Sequence, residues 1–119
     1  MTVAVYSALK KCKKKYENLE SCVIAEMQYF GKLYPNSSKI SYGNRFANWL
    51  TSQDPQPYYS FGNGSAMRVS AVPYFAKSIE EVKVLSQKVT CVTHNHPEGI
   101  KGAECVAVCI YMAFNKATK

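Results

Sequence analysis

The chain has 119 residues, 47% hydrophobic and 19% charged, which suits one domain with one core. This apolar content excludes a disordered chain, and only six Gly and five Pro exclude collagen-like or low-complexity structure. The net charge of +7, fifteen Lys and Arg against eight acids, favours acidic partners such as phosphates, nucleic acids or an acidic protein surface. No run approaches the roughly 18–20 apolar residues of a membrane span. The start, Met1-Thr2-Val3-Ala4-Val5, lacks the basic region of a secretory signal and is not expected to be one, and no membrane partner is expected.

In chain order, residues 2–15 predict a helix that ends in lysines, which suit the negative end of the helix dipole. Leu19, Cys22, Val23, Met27, Phe30 and Leu33 recur near helical spacing and predict a helix over 17–33. Tyr34-Pro35-Asn36-Ser37-Ser38 breaks it. A short helix is expected at 43–52, carrying Phe46, Trp49 and Leu50, and Pro55 and Pro57 frame a loop. Phe61-Gly62-Asn63-Gly64 reads as a tight turn opening a helix at 64–75, because its flanks do not alternate as hairpin strands do. Ser78-Ile79-Glu80-Glu81 has the form of a capping box and starts a helix that runs to about Thr90. His94 to Gly99 reads as a loop and 102–114 as a final, mostly apolar helix. The expected fold is therefore all-α: a single-domain bundle of five or six helices over residues 1–119, with polar loops at 36–44, 53–63 and 93–100.

Five cysteines, an odd number without a CxxC pair, point to reduced thiols in a cytoplasm. Cys105 and Cys109, inside the last apolar run, read as small buried hydrophobes. Lys10, Lys11, Lys13, Lys14 and Lys15 form one basic run, either a solvated helix end or a surface for a partner.

Three places could carry chemistry. In Ser60-Phe61-Gly62-Asn63-Gly64-Ser65 the glycines would let backbone amides approach an anion, with a helix N-terminus behind them; a merely tight turn also explains the string. His94 and His96 lie two apart beside Cys91, but a tetrahedral zinc site needs three or four convergent ligands, so hydrogen bonding to a ligand or to the loop is the preferred reading. The His-x-His-Pro string is similar to that of metalloprotease-type deubiquitinases, but the Ser and Asp that continue theirs are missing here. Carboxylates are scarce: Glu80 and Glu81 suit a helix N-terminus, Glu98 could act as a base but reads first as an exposed loop acid or helix N-cap neighbour, and Asp54 is the chain's one aspartate.

Together, Ser60-Phe61-Gly62-Asn63-Gly64-Ser65-Ala66-Met67-Arg68-Val69 and Thr93-His94-Asn95-His96-Pro97-Glu98-Gly99-Ile100-Lys101-Gly102-Ala103 resemble the ADP-ribosylglycohydrolase family, as does Tyr42-Gly43-Asn44-Arg45-Phe46. The resemblance implies an all-α fold and, in the family, a dinuclear magnesium centre that hydrolyses ADP-ribose linkages. By position it implies ligand contacts from Gly43, Ser60, Phe61 and His94, with Asn95 beside it, and amides near a diphosphate from Gly62, Asn63, Gly64 and Ser65. Phe61 stands where many members have Tyr. The family's aspartate-rich metal motifs find no counterpart, so the chain is expected to be a central fragment with no magnesium cofactor.

Two functions follow, with a catalytic enzyme, which would need metal ligands from another chain, ranked third. The first is a non-catalytic module that binds, and could sequester, ADP-ribose-like or other phosphate-bearing ligands. The alternative is a protein-binding module, such as a phage-type inhibitor of a host defence enzyme, that turns its basic surface toward an acidic protein or a nucleic-acid-binding partner. A homo-oligomer is also expected, with Val3, Val5 and Leu9 at one end and Val106, Cys109, Ile110 and Ala113 at the other as exposed apolar surface.

Overall fold

The structure, a computed structural model, describes residues 1–12, 16–33, 43–60 and 62–115. Among these it contains five α-helices, α1 (Thr2–Cys12), α2 (Leu19–Leu33), α3 (Asn44–Thr51), α4 (Ile79–Thr90) and α5 (Pro97–Phe114), with short 3-10 turns at Tyr16–Asn18 and Val72–Phe75 and no strand. The all-α expectation holds. No helix among the described residues is long and apolar enough to cross a membrane. Lys13, Lys14, Lys15, the break at 34–38 and Phe61 lie outside the described residues.

The core forms where the apolar stripes of the helices meet. α1 turns Val5, Ala8 and Leu9 inward, α2 Leu19, Val23 and Met27, α4 Val82, Leu85 and Val89, and all are at most 1% exposed. The buried residues of α5 are small, Gly99, Ala103 and Ala107, one turn apart along a single stripe, with Val106, Val108 and Tyr111 packed half-buried beside it. That spacing lets α5 lie close against α4. Val5 and Leu9, expected on the outside, are therefore core residues of the α1–α2 pair, and Val3 is the member of that set left exposed.

The same geometry corrects the reading of Cys105 and Cys109 as buried hydrophobes, while Cys109 is exposed as the surface reading expects. Each sits two residues beyond an inward alanine, roughly 200° round the helix, and both are exposed free thiols. Cys12 is buried, and its thiol is pushed up to about 11 by burial and by a hydrogen bond with Cys22.

Two element boundaries also differ from expectation. The segment 64–75 is not an α-helix. Pro73 has no N–H to give to the carbonyl of Val69, which accepts from Val72 N instead, so the backbone tightens into turns and a 3-10 helix. The last helix begins five residues earlier than expected, because Pro97 suits the first helical position and His96 caps it, Nδ1 accepting from Glu98 N. Glu98 thus lies in a first helical turn, paired with Lys101 at 3.6 Å. The capping box at Ser78 forms as expected, its hydroxyl accepting from Glu81 N at 3.1 Å.

α3 is short and is held from both sides. Gln28 of α2 donates to the carbonyls of Trp49 and Ser52 and so closes the C-terminal end of α3. The buried Trp49 indole donates across the core to the carbonyl of Val92, just beyond α4, at 3.1 Å. This places the N-terminal end of α3, with Gly43 and Phe46, beside the segment that follows α4.

Two outcomes test this packing. Ser78→Ala should destabilise the fold by about 1 kcal/mol in urea unfolding, as the loss of a helix cap does. Alkylation of the native protein with iodoacetamide, read by mass spectrometry, should modify Cys105 and Cys109 well before Cys12.

Candidate functional site

The glycine turn, the N-terminal end of α3 and the segment after α4 surround an open cavity of about 480 Å³. Gly43, Ser60, Gly62, Asn63, Gly64 and His94 all line it. These six residues, drawn from three separate strings of the sequence, are thus brought to one place by the fold. Phe46, Tyr58, Met67, Arg68 and the chain start at Met1 and Thr2 complete the wall.

Ser65 and Asn95 do not line the cavity. Ser65 is buried beneath the turn and donates to the carbonyl of Gly99 at 3.4 Å. Asn95 accepts from Tyr59 N through Oδ1 at 2.7 Å. Together with the bond from Tyr58 N to Thr93 O at 3.0 Å, this pins the 55–60 segment to the 93–95 segment. Tyr59 takes a left-handed backbone (φ 56°), a conformation uncommon for a non-glycine residue, and its ring rests 4.6 Å from that of His96.

Among the described residues no glycine has a positive φ. What the glycines supply is room: a Cβ at Gly64 would stand 3.5 Å from His94 Nε2, in the space between turn and histidine. The expected helix N-terminus behind the turn is absent, since the turn passes into the 3-10 segment. Positive charge comes from Arg68, one of only two arginines in the chain.

Arg68 is 3% exposed. One terminal nitrogen, Nη2, donates to the carbonyl of Val89 at 3.2 Å and to Thr93 Oγ1 at 2.8 Å. Its Nε is buried with no partner among the described residues. No carboxylate pairs with it among the described residues, where the ion pairs are Lys11–Glu26 and Glu98–Lys101. Burial lowers its pKa to about 10, which leaves it charged at neutral pH. The sequence places Arg68 in a family string but gives it no role. The available signal was an arginine in a chain whose positive charge is otherwise nearly all lysine, since guanidinium is the cation better suited to burial.

His94 is 4% exposed and its Nδ1 lies 2.6 Å from Thr93 Oγ1. Burial first, and the Arg68 charge second, lower its pKa to about 4, so the ring is neutral at pH 7. Burial raises the pKa of Tyr58, whose ring lies under the Arg45 guanidinium at 5.5 Å. Of the basic run, Lys10 is exposed, and Lys11 forms an ion pair with the buried Glu26.

A family model for ADP-ribosylglycohydrolase matches residues 4–119. The chain belongs to the ADP-ribosylglycohydrolase family. Searches of curated proteins and of solved structures return no match.

The described residues do not fit the family's dinuclear magnesium centre. Among them no carboxylate lines the cavity, and no group of three or more His, Cys, Asp or Glu could hold a metal ion. Asp54 lies in the loop after α3, where it accepts from Gln56 Nε2 at 2.9 Å. Hard cations need several oxygen ligands, and this wall offers hydroxyls, amides and a guanidinium.

The depressed His94 pKa fixes a pH dependence. As pH falls below the ordinary value of 6.5, the unfolded chain takes up a proton that the folded ring resists until about pH 4. The stability contributed by neutral, buried His94 is therefore full above pH 6.5 and is lost as pH falls toward 4. The melting temperature of the wild type should drop across this window more steeply than that of His94→Gln, whereas parallel curves would assign the titration to other groups.

Proposed function

We propose that this family member binds ADP-ribose-like ligands through their phosphates and does not hydrolyse them. The observation that carries the reading is the buried Arg68 guanidinium at the wall of the glycine-turn cavity, with no carboxylate paired to it among the described residues. An uncompensated buried cation is costly, and an anion held against the turn would offset that cost. Backbone at Gly62 to Gly64 gives close approach to a diphosphate, and charge-assisted hydrogen bonds are the strong ones. Phe46 and Tyr58 offer aromatic surface for a nucleoside. A wall without carboxylates among the described residues supports binding rather than metal-assisted hydrolysis.

Calorimetric titration with ADP-ribose tests this directly. His94→Ala should weaken binding about ten-fold, or about 1.4 kcal/mol, as loss of one hydrogen bond would. Gly64→Val should abolish binding while leaving the circular dichroism unchanged, because the added side chain fills the space before His94. No heat and no thermal shift at millimolar ligand would overturn the reading. Magnesium-dependent release of ADP-ribose from a modified protein, well above background, would overturn the non-catalytic part.

A second reading, self-association or protein binding, is favoured by a separate observation. Val3, Tyr6, Ala71, Tyr74 and Ile110 line an exposed apolar groove between α1, the 3-10 turn and α5. Light scattering at tens of micromolar should report a dimer if a second copy covers this groove, and a monomer would remove the homo-oligomer from the proposal.

A further inference from the structure

The hydrogen bonds behind the cavity form a chain with a direction. Arg68 can only donate, and its Nη2 donates to Thr93 Oγ1. The Thr93 side chain is fully buried and has a single hydroxyl proton to place. Its other partner is His94 Nδ1 at 2.6 Å. Were Nδ1 to carry the imidazole proton, two donors would converge on one oxygen and the Thr93 proton would be left without an acceptor among the described residues. A buried, unsatisfied donor is expensive, so the alternative assignment wins.

We infer that Thr93 is a positioning residue that fixes His94 as the tautomer protonated at Nε2, so that the cavity meets a neutral hydrogen-bond donor. The Nε2 edge of the ring is the edge beside Gly64, on the side of the glycine turn. The lone pair of the ring is turned away, toward Thr93. A ligand atom seated against His94 must therefore be an acceptor, such as a phosphate or ribose oxygen. A ligand hydroxyl that needs a base, or a cation that needs a nitrogen lone pair, finds none at this position. The same direction explains how two positively disposed groups share one site: Thr93 passes the polarity of the Arg68 guanidinium through its own hydroxyl to an uncharged ring. The tautomer follows from the protein's own hydrogen bonds, while its consequence for a ligand rests on the proposed ADP-ribose reading.

The test begins without ligand. In ¹⁵N-histidine-labelled protein at pH 7, two-bond ¹H–¹⁵N correlations should show His94 with Nδ1 unprotonated and Nε2 protonated, the two histidines being distinguished with His96→Asn, which keeps a capping side chain. Thr93→Ser should retain this pattern and Thr93→Val should lose it, giving a mixture or the opposite tautomer. A wild-type His94 protonated at Nδ1 overturns the inference whether or not any variant folds, and so does an unchanged pattern in folded Thr93→Val. With ADP-ribose, Thr93→Val should bind about ten-fold more weakly than Thr93→Ser; equal affinities overturn the ligand consequence. If the apo spectra are as expected and ADP-ribose binds to none of the proteins, the role of Thr93 stands and the ligand reading falls.

Discussion

The site is organised around one buried cation. Arg68 leaves the glycine turn, crosses into the interior, and is held by the last turn of α4 through Val89 O and by the following segment through Thr93. A guanidinium can do this because its fork of donors reaches two acceptors at once while the charge stays delocalised. Once it is in place, the distance between the turn and His94 is set, and so is the width of the cavity. The absence of a carboxylate beside it among the described residues gives the cavity its sign. A fold that keeps such a charge inside must recover the cost through hydrogen bonds or through a bound anion.

Most of the helical frame was legible in the sequence, for local reasons. The capping box at Ser78 and the inward spacing of Val82, Leu85 and Val89 are short-range signals that tertiary packing did not override. The errors came from residues with two meanings. The helix expected over 64–75 runs through Pro73, which removes a needed N–H inside the segment, and the loop expected at 93–100 takes in Pro97, which occupies the helical position where no N–H is needed. Cys105 and Cys109 have the composition of core residues; only the phase of the alanine stripe shows that they face outward.

The candidate site was partly legible as well. Strings around Gly43, the glycine turn and His94 held six residues that the fold brings to one cavity. Their partners were not legible, because hydrogen bonds such as Tyr59 N to Asn95 Oδ1, and Arg68 to Thr93, join positions that lie 36 and 25 residues apart. Asn95 and Ser65 belong to the same strings as the cavity residues, yet their side chains are turned to the backbone that holds the loops together. A motif read from sequence mixes residues that would face a ligand with residues that hold the others in place.

The indole of Trp49 joins α3 to the carbonyl of Val92, two residues before His94, and it is the chain's sole tryptophan. Its emission is therefore the signal of one joint and is not an average over the molecule. Phe46, on the cavity wall, stacks on that indole at 5.8 Å, so the joint and the wall are in optical contact. Any event that shifts α3 against the segment after α4 changes the polarity around a single fluorophore. The protein thus carries an intrinsic reporter at the contact between α3 and the segment after α4, beside its own cavity and readable without a label.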